Sequence, residues 1–88
     1  MIKRNITFTP SAFEDYEYWL EQDKKLLKKI NRLIKSIQRD GQLEGEGKPE
    51  PLKGNLQGYC SRRINHEHRL VYMVKENHVI IIGCRYYY

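Results

Sequence analysis

Between Asp23 and Gly41 the apolar residues Leu26, Leu27, Ile30, Leu33, Ile34 and Ile37 recur at i, i+1, i+4, i+7, i+8 and i+11. That spacing gathers on one side of a helix and nowhere else, because 3.6 residues complete a turn. Asp23 carries the short acceptor side chain that caps a helix start, and Asp40-Gly41 ends it, since glycine tolerates the left-handed conformation that closes a helix. The opposite face carries Lys24, Lys25, Lys28, Lys29, Arg32 and Lys35. A charged face is ordinarily just solvated, and its sharper reading is attachment to a nucleic-acid backbone such as the ribosome's. The apolar stripe needs a covering layer, and 88 residues allow one domain, 1–88, with one modest core.

The rest of the chain supplies that layer. Ile2, Arg4, Ile6 and Phe8 alternate with Lys3, Asn5 and Thr7, which predicts a first strand. Thr9-Pro10-Ser11 starts a helix running to about Gln22, with Pro10 suited to the first turn and Ser11 in capping-box spacing with Glu14. Phe13, Tyr16, Trp19 and Leu20 form its predicted buried stripe, and Glu14, Asp15, Glu17 and Glu21 its acidic face. Residues 41–58 shift to glycine and proline and predict one long loop; a loop this long in so small a chain is uncommon unless it works. Three strands follow, about Tyr59–Asn65, Arg69–Lys75 and His78–Tyr86, with turns at Asn65–His68 and Glu76-Asn77. The order predicts an α+β fold: an N-terminal strand, a two-helix hairpin, then antiparallel strands, forming one sheet packed on the helices with a concave face left open.

The chemistry concentrates between Lys48 and Tyr72. Glu50 sits there between two prolines, followed by Lys53, Arg62, Arg63 and Arg69. A proline-flanked acid amid fixed cations suits a polyanionic substrate, because the acid can move a proton while the cations neutralise phosphate. In the strand Tyr59–Asn65, Arg63 shares a face with Ser61 and Arg62 points the other way, so one arginine meets the helices or an edge and the other a cleft. Lys and Arg outnumber Asp and Glu 16 to 11, a net charge of +5 that draws nucleic acid or an acidic partner. GEGK at Gly45–Lys48 lacks the P-loop spacing. Two cysteines, Cys60 and Cys84, without CxxC spacing fit a reduced cytosolic protein and small core residues. No apolar run approaches a membrane span, and Met1–Pro10 lacks a signal-peptide core, so a soluble cytoplasmic protein is expected.

Several motifs in order carry a family resemblance: DYEYW at Asp15–Trp19, DKK at Asp23–Lys25, KKIN at Lys28–Asn31, GKPEPLK at Gly47–Lys53, SRRI at Ser61–Ile64, EHRLVY at Glu67–Tyr72 and a C-terminal CRY-x-Y. Over nearly its whole length the chain resembles the YoeB (Txe) toxins of the RelE/ParE superfamily. Members of that family are metal-independent endoribonucleases that cut mRNA in the ribosomal A site and are restrained by a YefM antitoxin. The resemblance therefore implies a RelE-like microbial ribonuclease fold, with Glu50 as general base, Arg69 stabilising the transition state, and Arg63 and Lys53 on phosphate. It implies no cofactor or metal, mRNA on the 70S ribosome as substrate, a YefM-type antitoxin as partner, and a homodimer as one arrangement.

The chain departs from the family pattern at its end, reading Tyr87-Tyr88 where the family reads His-Tyr. Tyr87 then stands where the general acid is expected, with Tyr88 beside it for substrate. A phenol with pKa about 10 is about 3.5 units weaker an acid than an imidazolium, a cost on the order of one to two powers of ten in proton transfer. A replacement acid from His66 or His68 is the other option. His66, His68 and His78, with Cys84, also admit a metal reading, disfavoured because His-x-His lies in a turn and the set lacks zinc-finger spacing. Two functions stay open: an endoribonuclease toxin, and a toxin-fold protein that acts by binding the ribosome or antitoxin. Gyrase inhibition, as in ParE relatives, fits less well.

Overall fold

The computed structural model describes residues 3–86. Its elements are β1 (Asn5–Phe8), α1 (Pro10–Gln22), α2 (Lys24–Asp40), β2 (Glu50–Pro51), a 3₁₀ turn at Gly54–Leu56, β3 (Cys60–Arg63), β4 (Arg69–Lys75) and β5 (His78–Gly83). They form an α+β fold in which one five-stranded sheet, ordered β1-β5-β4-β3-β2, lies on the two helices. β1 pairs parallel to β5 and the other neighbours are antiparallel, so the sheet is mixed. No helix among the described residues is long and apolar enough to cross a membrane.

Helix α2 follows its sequence pattern closely. The Asp23 carboxylate accepts from the Leu26 N–H, and Gly41, at φ 100, donates its N–H to the Ile37 carbonyl. Ile30, Leu33 and Ile37 are fully buried, worth roughly 1.5–3 kcal/mol each. They pack with Leu70, Tyr72, Val79 and Ile81 from the sheet and with Ala12 and Trp19 from α1.

Helix α1 differs from expectation at its start and along its face. Thr9, not Ser11, is the cap: its hydroxyl accepts from the Ala12 N–H, because Pro10 occupies the first turn and moves the cap one residue before it. The buried positions are Ala12 and Trp19, while Phe13 and Leu20 are half exposed. The helix rests one edge on the sheet, so Ala12, Tyr16 and Trp19 meet the core while Phe13 and Leu20, flanking that line, stay half exposed.

β1, β3 and β5 are shorter than the periodicity implies, whereas β4 has the expected limits. β1 begins at Asn5, and Ile2 lies outside the described residues. β3 stops at Arg63, where the chain turns and the Ile64 and Asn65 N–H groups both reach the His68 carbonyl. β5 leaves the ladder at Gly83 after a bulge: Tyr72 faces Ile81 and Val71 faces Gly83, leaving Ile82 as the extra residue. The predicted 41–58 loop is interrupted by β2, a two-residue edge strand that pairs Glu50 with Ser61 and Pro51 with Cys60.

Candidate active site

Register partners in a sheet share a face, and that fixes where the charges go. Glu50 pairs with Ser61, Ser61 with Val71, and Arg63 with Arg69. Cys60, Leu70 and Tyr72 face the helices, so the alternating positions Glu50, Arg63 and Arg69 lie together on the opposite face. Ser61 and Val71, both buried, form the floor between them.

On that face the Arg69 Nη1 lies 3.5 Å from Glu50 Oε1. The arginine side chain is 19% exposed and the carboxylate 59% exposed. The cation is therefore held by its surroundings while the acid stays open to a ligand. Arg63, across from Arg69, is exposed and keeps its charge toward solvent. Lys53 precedes the 3₁₀ turn and is exposed, and no side-chain contact among the described residues joins it to the pair.

Arg62 takes the inward direction that the strand period requires of one of the two arginines, and its partners there are ones that no spacing implies. Its guanidinium is fully buried and spends all five N–H donors. Nε donates to Tyr72 OH at 2.9 Å, Nη1 to Ser36 Oγ at 3.0 Å and the Glu46 carbonyl at 2.8 Å, and Nη2 to the Gly41 and Glu44 carbonyls at 2.8 and 2.6 Å. The side chain thereby folds residues 41–46 onto the end of α2. The next residue, Gly47, accepts the Arg63 N–H at 2.7 Å, which carries the chain into β2 and delivers Glu50. A doubled arginine next to a glycine-rich loop was the available signal; that its inward member would meet backbone carbonyls instead of an acid is a property of the packed chain.

The C-terminal segment is held by five contacts. Trp19 Nε1–H donates to the Cys84 carbonyl at 2.8 Å, and the Cys84 N–H donates to Asp15 Oδ2 at 3.1 Å. The Arg85 guanidinium stacks 3.6 Å over the Tyr18 ring. The Tyr86 N–H donates to His68 Nδ1 at 2.8 Å and its carbonyl accepts the Arg69 N–H at 3.1 Å. Because Nδ1 accepts, His68 is the tautomer with its proton on Nε2. Tyr86 adopts φ 63, a left-handed turn that a tyrosine takes only when its neighbours enforce it. His68 is thus a brace for the chain end, buried between Trp19 and Tyr86. Tyr87 and Tyr88, predicted to complete the site, lie outside the described residues.

The thiols and histidines do not converge. Cys60 and Cys84 are buried and free, and burial together with Asp15 pushes the Cys84 thiol up to about 12. Among the described residues no three of His, Cys, Asp and Glu come together as a metal site would require. His66 is exposed on the β3–β4 turn and His78 begins β5.

A helical hairpin backing a sheet whose free face presents an arginine–carboxylate pair defines a small, basic α+β protein suited to an anionic ligand. The model of the YoeB-like toxins of bacterial type II toxin-antitoxin systems matches residues 8–88, and the chain belongs to that family. A toxin YoeB of Synechocystis sp. is 57% identical over 83 residues, 94% of this chain and 95% of that protein. The structure of a YoeB dimer from Staphylococcus aureus superposes with a TM-score of 0.92 at 64% identity, covering 99% of this chain and 100% of that one. A heterotetrameric YoeB–YefM toxin–antitoxin complex from the same organism gives 0.91, also at 64% identity, with the same coverage.

Proposed function

We propose that this toxin is a ribosome-dependent endoribonuclease that cuts mRNA in the A site by acid–base chemistry. The observation that carries the reading is the Glu50–Arg69 pair, 3.5 Å apart on the open face with Arg63 beside it. Glu50 takes the proton of a ribose 2′-hydroxyl as that oxygen attacks the adjacent phosphorus. Arg69 donates to the phosphoryl oxygens, where its fixed fork and permanent charge match the charge that builds in the transition state. Arg63 and Lys53 hold phosphate. The bond to the 5′-oxygen breaks, that oxygen takes a proton from the Tyr87 hydroxyl, and a 2′,3′-cyclic phosphate remains on the upstream fragment. Tyr88 contacts substrate.

The partners follow from the same reading. A YefM-type antitoxin covers the open face and restrains the toxin, a homodimer is one assembly it adopts, and work on ribosomes places it in the cytoplasm. A second reading, a toxin-fold protein that occupies the ribosome or its antitoxin without cutting, is favoured by one observation, the tyrosine at 87 in place of histidine. Mapping mRNA 5′ ends in a translation reaction separates the two. The parent is expected to cut in the A site, Glu50→Gln and Arg69→Ala not to, and Tyr87→His to cut faster. No cuts from either the parent or Tyr87→His would refute the nuclease; cuts from Tyr87→His alone would show that this chain is an inactive form of one.

A further inference from the structure

A second cationic feature adjoins the pair. Between α2 and the β3–β4 turn lies a pocket of about 370 Å³ whose polar lining is Lys29, Lys48, Arg63, Asn65 and His66. No carboxylate among the described residues lines it. Glu46 touches Lys29 at 3.9 Å, but Arg32 already holds the same oxygen at 2.7 Å. Asn65 spends its carbonyl on the Glu67 and His68 N–H groups, both at 2.8 Å, which leaves its NH₂ as the group to offer. The polar residues of the lining are therefore ones whose side chains carry donors, and none is a carboxylate.

The backbone is shaped to put them there. Gly47 has φ 94, and a Cβ on it would stand 2.7 Å from Leu33 Cδ2, so the chain presses against α2 where no side chain fits. Lys48 follows at φ 54, a left-handed residue that is not glycine and whose conformation costs on the order of 1–2 kcal/mol. Arg63 belongs both to this lining and to the row that carries Arg69.

We propose that this pocket is a second phosphate subsite, binding an RNA phosphodiester other than the one that is cut. The inference rests on the ribonuclease reading, since the shared Arg63 makes the pocket the continuation of the Glu50–Arg69 face. Either the substrate strand or ribosomal RNA can supply the phosphate.

The test uses a Glu50→Gln chain, which binds without cutting, with Lys48→Gln and His66→Gln added singly and together. One arm measures polarisation of a fluorescein-labelled single-stranded RNA over about 50–200 mM salt, and the other co-sedimentation with vacant ribosomes. The double change is expected to weaken RNA binding about fivefold to tenfold and to lower the salt slope by about 0.7 for each phosphate that is no longer neutralised, with Lys48→Arg restoring the affinity. A loss in the free-RNA arm assigns the subsite to the substrate strand, and a loss confined to ribosomes assigns it to ribosomal RNA. Unchanged binding in both arms overturns the proposal, as does a larger loss for a polyglutamate peptide of equal charge, which would make the pocket a protein site. Because no arm reads cleavage, a chain that never cuts refutes the nuclease and leaves this result standing.

Discussion

Arg62→Met removes the guanidinium while keeping an apolar side chain of similar length. The structure sets the cost, because all five N–H donors serve residues 36, 41, 44, 46 and 72. The Gly41, Glu44 and Glu46 carbonyls lie in a surface loop and can turn to water, whereas Ser36 is buried and Tyr72 OH keeps a second bond, to the Gln42 carbonyl at 2.5 Å. Breaking one side of a buried charged network costs about 3–5 kcal/mol, and the partial recovery by water favours the lower end. In a chain of this length that lowers Tm by at least about 12 °C. Urea unfolding followed by circular dichroism gives the loss, and hydrogen exchange locates it: amides of 41–49 should exchange faster at urea concentrations where β4 and β5 remain protected. Cleavage should fall further than the unfolded fraction accounts for, since Glu50 hangs from the same loop. A loss below about 1 kcal/mol, or exchange that rises equally across the sheet, would refute the assignment of Arg62 as the brace of this loop.

Four further outcomes are expected. Arg69→Lys keeps the charge but loses the fork, and should lower single-turnover cleavage about 10²–10³-fold while Tm stays close to that of the parent. Gly47→Ala should destabilise by about 1–3 kcal/mol in urea unfolding, from the positive φ and the contact with Leu33. The Arg32 hydrogen bond holds the Glu46 carboxyl below its ordinary 4.5, and Arg39 holds Asp40 below 3.8. Folded values lower than unfolded ones mean that this stabilisation is present above those pH values and lost as pH falls through and below them, so the urea midpoints of the parent and Arg32→Ala should converge on acidification. With its thiol pushed up to about 12 and no surface exposed, Cys84 should resist thiol reagents at pH 8 until the chain unfolds; prompt labelling in native buffer would contradict its packing.

Helix α2, its Asp23 cap and Gly41 stop, and the limits of β4 were all readable from spacing, because each rests on local periodicity or a single capping residue. The opposite faces of Arg62 and Arg63 followed from the strand period of two. β2 was not readable: two residues carry no period, and their pairing depends on Arg62 gathering the preceding loop. Phe13 and Leu20 have the right spacing for a core and are half exposed, because spacing fixes which residues share a helix face but not which part of that face the sheet covers. The parallel pairing of β1 with β5 is likewise a matter of which edge remains free once the antiparallel strands have paired.

The amino-acid sequence alone determined the helical hairpin, the strand order along the chain, the positive charge and the presence of Glu50 among lysines and arginines, since all of these are composition or local period. Tertiary structure decided that Glu50 and Arg69, nineteen residues apart, stand 3.5 Å from one another on one face, and that Arg62 looks inward to carbonyls while Arg63 looks out. It also decided that His68 accepts the Tyr86 N–H and braces the chain end. Those outcomes depend on register and on the pairing of distant backbone groups, and such pairing is fixed only when the sheet closes.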